Sequence, residues 1–183
     1  MQENWVEDIL SFWFGELSED DWFTRKDATD AKISARFEPL YREIRTKVPP
    51  AAFEEPRAAL AAVIALDQFP RNMFRGRAEA FATDDLAIDI ARKALARKLD
   101  EKLSEAEKQF LYMPFMHSEI MADQERSVAL FREQDAGKNE KYAIEHRDIV
   151  GKFGRFPHRN KVLGRESTPA ERIFLLNHEG FGQ

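Results

Sequence analysis

The spacing of apolar residues is the feature that most restricts how this chain can fold. Ile33, Phe37, Leu40 and Ile44 follow one another at intervals of three and four, and nearly every other segment shows the same period. This spacing places apolar side chains on one face of an α-helix. No segment of useful length alternates apolar with polar residues, as a half-buried strand would. The sequence therefore predicts an all-α fold of about eight to ten helices in antiparallel helix pairs.

Capping residues and prolines give the predicted helix boundaries. Residues typical of helix starts and ends occur at Asn4, Gly15, Pro49, Pro50, Pro56, Thr83, Ser104, Gly137 and Thr168. A proline inside a helix removes one hydrogen bond and clashes with the preceding turn. We therefore expect Pro39 to kink or divide its helix, Pro70 to stop the next helix, and Pro114 to end the fifth.

Composition restricts the class of protein. A chain of 183 residues is long enough for one domain with a substantial core, and we expect a single all-helical domain over residues 1–183. It contains no cysteine, which excludes disulfides and fits a reducing cytoplasm. The amino-terminal segment lacks the basic start of a secretory signal, and no apolar run approaches membrane-spanning length. We therefore expect a soluble, cytoplasmic protein that does not enter a membrane.

One short motif occurs twice. RNMFRGR at residues 71–77 returns as RNKVLGR at residues 159–165, and both copies follow a Phe-Pro pair. The second copy has one additional residue, His158, between the proline and the arginine. Gly76 and Gly164 occupy equivalent positions, where glycine can close a turn. The repeat predicts two related helical corners, each followed by a capped helix.

Four runs of sequence carry a family resemblance: LDQFPRNMFRG, AFATDD, FLYMPFMHSE and GRFPHRNKVLGRESTPAE. Together they closely resemble the bacterial domain of unknown function 924 family, over most of the chain. The resemblance implies an all-helical fold similar to the tetratricopeptide-repeat superfamily. It implies no particular activity.

Three histidines are candidate catalytic residues. His117, His146 and His158 each lie in a distinctive run beside charged or amide side chains. An imidazole titrates near neutral pH and can transfer protons when a carboxylate positions it. No nucleophile elbow, Walker loop or dinucleotide fingerprint accompanies them, so the sequence leaves open whether the protein is an enzyme.

Polar residues around the two corners predict a pocket for a small anionic molecule. The candidate ligand-binding residues are Asp67, Arg71, Asn72, Arg75, Glu119, Arg155, Arg159 and Asn160. Arg71 and Arg75 are four residues apart, so they share one side of a helical turn and can form a two-pronged anion clamp. In the competing interpretation, Asp67 pairs with Arg71 or Arg159 and merely locks the corners.

Metal binding is a weaker alternative. His117 with Glu119, and His146 with Asp148, provide nitrogen and oxygen ligands suited to zinc or iron. Residues two apart on a helix point to different sides, whereas metal-binding pairs on helices use intervals of three or four. We therefore predict neither a metal nor a cofactor.

Parts of the sequence are also compatible with two other kinds of partner. The segment from Arg147 to Arg165 contains six Lys or Arg residues and one Asp, with Phe153 and Phe156 between them. This composition is typical of a modest RNA-binding surface. The phenylalanines fall on the apolar helix face, however, and the net charge of −5 opposes binding to nucleic acid. A tetratricopeptide-like protein-interaction module, with purely structural corners, is the alternative function.

Overall fold

Helices are the only regular structure in the described part of the chain. The computed structural model describes residues 4–178 and 180, and the side chains of these residues except 135 and 136. The α-helices are α1 (Trp5–Ser11), α2 (Glu19–Phe23), α3 (Asp27–Thr46), α4 (Pro56–Val63), α5 (Phe69–Met73), α6 (Asp84–Ala96), α7 (Glu105–His117), α8 (Met121–Glu133), α9 (Glu140–Phe153) and α10 (Pro169–Leu176). The all-α prediction is confirmed.

Shorter helical segments join the α-helices. The π-helical turns are Phe12–Glu16 and Ile64–Gln68, and the 3₁₀ segments are Pro50–Phe53, Ala78–Phe81, Asp100–Lys102, Gln134–Gly137 and Pro157–Arg159. Helices that follow one another pack together: α8 packs on both α7 and α9, and α6 packs on α4 and α7. The result is a helical stack, for which similarity to tetratricopeptide repeats stays a prediction.

Aromatic rings from distant parts of the chain form the centre of the core. Phe37 of α3 stacks on Phe69 of α5 with ring centroids 4.8 Å apart, and Phe12 lies 5.0 Å from Phe37. Trp13 contacts Phe110 of α7 edge-on at 5.4 Å. All five residues are at most 2% exposed. Because burying one such side chain contributes on the order of 1.5–3 kcal/mol, this cluster fixes the amino-terminal helices against α5 and α7.

Several predicted boundaries are confirmed because local signals determine them. Ser104 and Thr168 each form a complete capping box, with Glu107 and Glu171 respectively. Gly137 ends the 3₁₀ segment after α8 with φ +78°, in the left-handed region that favours glycine.

Other boundaries were missed or wrongly explained. Helix α2 was not predicted, although Ser18 and Asp21 form a capping box at its start. Asn4 stands at the N-cap of α1, but its side chain makes no capping hydrogen bond.

Two prolines do not interrupt their helices. Helix α3 is unbroken from Asp27 to Thr46 although it contains Pro39, and α7 continues past Pro114 to His117. Of the two predicted effects of Pro39, division of the helix was wrong and a kink stays a prediction; the prediction that Pro114 ends a helix was wrong. Both helices bury extensive apolar surface, and this packing outweighs the local cost of about 3 kcal/mol for a proline.

The chain also remains helical through the first Phe-Pro pair, contrary to the predicted stop. Helix α4 passes through the π turn Ile64–Gln68 directly into α5, which contains Pro70. Pro70 has no N–H to donate to the carbonyl of Leu66, four residues earlier. The hydroxyl of Thr83 donates to that carbonyl at 2.6 Å. Thr83 stands at the N-cap of α6 as predicted, but its side chain makes no capping hydrogen bond because it serves the first corner instead.

The second corner has a different backbone. Gly154, with φ +71°, ends α9, and the 3₁₀ turn Pro157–Arg159 follows. The two corners still close alike, because Gly76 and Gly164 both have positive φ, +70° and +65°. The repeated motif therefore marks two related turns on different helical supports.

Among the described residues, no helix has both the length and the apolar character needed to cross a membrane.

Loss of the Thr83 hydroxyl is expected to destabilise the first corner. Thr83→Val preserves the shape of the side chain but removes a donor from a buried carbonyl, which typically costs about 1–3 kcal/mol. Thr83→Ser keeps the hydroxyl and loses one methyl group, at an expected cost of at most about 1 kcal/mol. Denaturant unfolding measures both variants. Equal losses of unfolding free energy in the two variants would contradict the hydrogen bond from the Thr83 hydroxyl as the source of the stabilisation.

Candidate functional site

A cleft of about 540 Å³ opens between α2, α5, α7 and α9. Its lining residues are Glu19, Trp22, Phe23, Thr24, Arg25, Gln68, Arg71, Asn72, Arg75, Gln109, Met113, Met116, His117, Phe131, Lys138, Asn139, Tyr142 and His146. This volume lies in the range of small-molecule sites. Five of the predicted site residues are in the lining: Arg71, Asn72, Arg75, His117 and His146.

Asp67 lies directly behind the wall of the cleft and has no exposed surface. Its carboxylate oxygens lie 2.7 and 2.9 Å from Nδ1 of His117, and Nε2 of Gln68 donates to it at 2.6 Å. Nη1 of Arg71 lies 3.1 Å from Oδ1 and also donates to the backbone carbonyl of Asp67 at 2.7 Å. The predicted pairing of Asp67 with Arg71 is therefore present, together with a histidine contact that joins α7 to the π turn before α5.

These contacts fix the charges of the Asp67–His117 pair. Burial opposes ionisation of Asp67, but Arg71 and His117 outweigh it and lower the pKa of the carboxyl group to about 2. Burial and the charge of Arg71 lower the pKa of His117 below its usual value. At neutral pH Asp67 is a carboxylate, and His117 is a neutral imidazole whose Nδ1–H donates to it. Nε2 is then the ring nitrogen left to meet a ligand in the cleft.

Asp84, the first residue of α6, joins the two corners. Its carboxylate accepts hydrogen bonds from both terminal nitrogens of Arg71, at 2.8 and 3.0 Å, and lies 3.3 Å from Nη1 of Arg159. Asp84 was not among the predicted catalytic or ligand-binding residues. The one sequence signal that could have identified it was its position in AFATDD, one of the four runs that carry the family resemblance.

Arg159 supports the cleft from behind and does not line it. Its Nη2 donates to the backbone carbonyl of His117 at 3.0 Å, and its guanidinium lies between the rings of Phe81 and Phe156, 4.5 and 4.6 Å from their centroids. Burial and the nearby charge of Arg71 lower the pKa of Arg159 to about 10, so it remains cationic at neutral pH. The first corner thus lines the cleft, and Arg159 of the second corner supports it from behind.

The predicted anion clamp has carboxylate partners of its own. Arg75 binds Asp30 of α3 through Nε at 2.6 Å and Nη2 at 3.0 Å, and it also donates to Oδ1 of Asn72 at 2.9 Å. Arg71 is held by Asp67 and Asp84 as described above. Both arginines line the cleft, but neither brings an uncompensated charge to it.

The other two candidate histidines occupy different places. Nδ1 of His146 lies 2.8 Å from the carbonyl of Tyr142, and its ring centroid lies 6.4 Å from that of His117. Burial lowers the pKa of His146 to about 3. His158 is outside the large cleft and borders a cavity of about 30 Å³ between the two corners. Burial, with a contribution from Arg159, lowers its pKa to about 4.

Glu119, Arg155 and Asn160 belong to a separate network around the second corner. Glu119 binds Arg165 at 2.7 and 3.0 Å and accepts from the backbone N–H of Phe156. Arg155 binds the buried Glu171 at 2.7 and 2.9 Å, and Asn160 donates to the same carboxylate at 3.3 Å. None of the three lines the cleft. Their carboxylate and arginine partners are distant in sequence, so the pairing was not predictable from spacing.

In each of the two candidate metal-binding pairs, the carboxylate binds an arginine. Glu119 is bound to Arg165, and Asp148 pairs with Arg147 at 2.6 Å. Within residues 4–178 and 180, no three His, Cys, Asp or Glu side chains form a group that fits a metal ion.

Comparisons with known proteins give the family. The family described as "Bacterial protein of unknown function (DUF924)" matches residues 9–179. The chain belongs to this family. A solved structure of a protein of unknown function from Agrobacterium tumefaciens is 40% identical to this chain, with a TM-score of 0.89, and the match covers 94% of this chain and 97% of that one. No curated protein matches.

The sequence runs that carried the resemblance meet in the structure of this DUF924 member. LDQFPRNMFRG supplies Asp67 and Arg71, AFATDD supplies Asp84, FLYMPFMHSE supplies His117, and the Phe-Pro-His run supplies Arg159. The contacts described above join all five into one network beside the cleft, in which Asp84 is partly buried and the other four are buried.

Removal of the Arg71 side-chain charge is expected to lower the free energy of unfolding substantially. Arg71→Met leaves the buried Asp67 carboxylate without its arginine, and breaking a buried pair in this way typically costs about 3–5 kcal/mol. Arg42, which pairs with Glu38 on the exposed surface of α3, provides the control. Arg42→Met should cost less than about 0.5 kcal/mol. A loss below about 1 kcal/mol for Arg71→Met in denaturant unfolding would contradict this account.

Proposed function

We propose that the cleft binds a small anionic molecule and that His117 accepts a proton from this ligand or from a water bound beside it. The observation that carries the proposal is the Asp67 carboxylate, buried behind the cleft wall and 2.7 Å from Nδ1 of His117. A carboxylate in this position orients the imidazole and selects the tautomer whose Nε2 is a proton acceptor.

The proton transfer needs only groups that meet at the cleft. The proton leaves the bound X–H group, the bonding electron pair stays on X, and Nε2 of His117 becomes protonated. The resulting imidazolium faces the Asp67 carboxylate at hydrogen-bond distance, which stabilises the new positive charge. The neutral ring of His146 lies 6.4 Å away on the same cleft, where it can contact the opposite side of a ligand.

The charge of the lining favours an anion. Arg25, Arg71, Arg75 and Lys138 contribute four cationic side chains to the lining, whereas Glu19 contributes one carboxylate. Two of the arginines are paired from behind the wall: Arg71 with Asp67 and Asp84, and Arg75 with Asp30. These four cations and four carboxylates leave no net charge, so the cationic side chains at the cleft would serve an anion mainly as hydrogen-bond donors.

The alternative function is a protein-interaction module. One observation favours it: helix α10 exposes Ile173 and Leu176, with 64% and 83% of their surfaces accessible. These residues are three apart and so share one face of the helix. A protein partner covering that face would require no ligand in the cleft.

A ligand panel tests the proposal. Carboxylates, dicarboxylates, phosphates and sugar phosphates are added to the purified protein, and the thermal unfolding midpoint is measured. A ligand at about 100 times its dissociation constant adds roughly 2.7 kcal/mol, which raises the midpoint of a protein of this size by roughly 5–10 °C. We expect at least one member of the panel to produce such a shift.

Matched histidine variants then assign the shift to the cleft. His117→Gln should raise the dissociation constant of that ligand at least fivefold, because the acceptor Nε2 is lost. His178→Gln replaces a histidine outside the cleft that pairs with Glu145, and it should leave binding unchanged. No shift with any member of the panel would overturn the proposal and favour the interaction module.

A further inference from the structure

We infer that the ligand is an amphipathic monocarboxylic acid, bound with its apolar body inside the cleft and its carboxylate at the mouth. This inference rests on the proposed function and adds to it the chemical class and the orientation of the ligand, with a water beside the apolar body as the proton donor to His117.

One part of the cleft interior is apolar and lies beside its histidines, its amides and the paired arginines Arg71 and Arg75. Met113, Met116 and Phe131 line it and are 9%, 7% and 0% exposed. Methionine side chains are flexible and polarisable, so they adapt to aliphatic chains and to aromatic rings. These three residues present little accessible surface themselves, so the transfer free energy comes mainly from the apolar surface of the ligand that leaves water beside them.

An anionic group gains little by entering the interior. The guanidinium of Arg71 is already within 3.1 Å of the carboxylates of Asp67 and Asp84, and Arg75 is within 3.0 Å of Asp30. A ligand carboxylate placed there would have to displace these carboxylates or lie close to them, and like charges repel strongly in a buried site. The inner arginines therefore do not select the anion.

The mouth of the cleft has cations that are less strongly engaged. Arg25 and Asp27 form a pair at 3.5 Å in which both side chains are largely exposed, 66% and 87%, and such a pair contributes little. Lys138 is exposed and has no ion pair within the described residues. Together with Asp27 and with Glu19 of the lining, Arg25 and Lys138 leave no net charge at the mouth, so a single carboxylate is accommodated there more easily than a dianion.

Apolar surface continues to the mouth on two sides. Phe23 and Tyr142 line the cleft and are 60% and 46% exposed, although large aromatic side chains are usually buried. A small polar anion such as inorganic phosphate would leave this surface and most of the 540 Å³ in contact with water. An apolar body that extends from Met113 to Phe23 would cover it.

Tryptophan fluorescence provides the measurement. Trp22 lines the cleft, donates from Nε1 to the carbonyl of Trp13 at 2.9 Å and stacks on that residue, so a ligand beside it should change its emission. The probes are octanoate and 3-phenylpropionate, their matched alcohols octanol and 3-phenylpropanol, and the polar anions succinate and inorganic phosphate. Trp22→Phe identifies the part of the signal that comes from this residue.

We expect at least one of the two carboxylates to bind at least tenfold more tightly than its matched alcohol, succinate or phosphate. Replacing both mouth cations, with Arg25→Gln and Lys138→Gln, should weaken carboxylate binding about tenfold and leave alcohol binding unchanged. Met113→Gln should weaken the binding of both the carboxylates and the alcohols. Lys161→Gln, an exposed lysine outside the cleft, is the control for loss of a surface charge and should have no effect.

The outcomes separate this inference from the proposed function. If succinate or phosphate binds more tightly than both apolar acids, and His117→Gln abolishes that binding, the proposed function stands and this inference is overturned. If the apolar acids bind equally well to the Arg25→Gln/Lys138→Gln variant, the orientation is wrong and the inference is likewise overturned. If none of the probes and no member of the anion panel binds, both proposals fail.

Discussion

The structure around the cleft depends on one buried charge, the carboxylate of Asp67. An isolated carboxylate without solvent contact would be strongly unfavourable, so the fold must surround it with donors. Arg71, His117 and Gln68 provide them at 2.6–3.1 Å. Because Asp67 belongs to the π turn before α5 and His117 to the end of α7, satisfying this one group fixes two helices relative to each other at the wall of the cleft.

The repeated motif has a physical explanation in the same network. The first arginine of each copy, Arg71 and Arg159, reaches the carboxylate of Asp84 from a different corner. Arg71 continues to Asp67, whereas Arg159 continues to the carbonyl of His117. The two copies thus hold the two partners of the Asp67–His117 pair, one from each side. Their backbones differ, because one corner continues a helix and the other follows a helix end.

The fold could be predicted from the sequence where local signals decide it. The spacing of apolar residues gave the helices, and the capping boxes at Ser104 and Thr168 gave two of their starts. Local rules failed at Pro39 and Pro114, where packing of distant helices outweighs the cost of a proline. The site shows the same division. Residue type alone selected His117, His146 and the first-corner residues that line the cleft, whereas the contacts of Asp84 with both corners are in no local pattern.

The protonation of His117 tests the account most directly. Imidazole ¹⁵N and ¹H correlations in labelled protein identify which ring nitrogen carries the proton and follow it with pH. Burial and Arg71 lower the pKa of His117, so the ring should remain neutral as the pH falls through its ordinary value near 6.5, with the proton on Nδ1 facing Asp67 and Nε2 unprotonated. His117→Gln identifies the resonance by its loss. An imidazolium at pH 7, or a neutral ring with the proton on Nε2, would contradict the account.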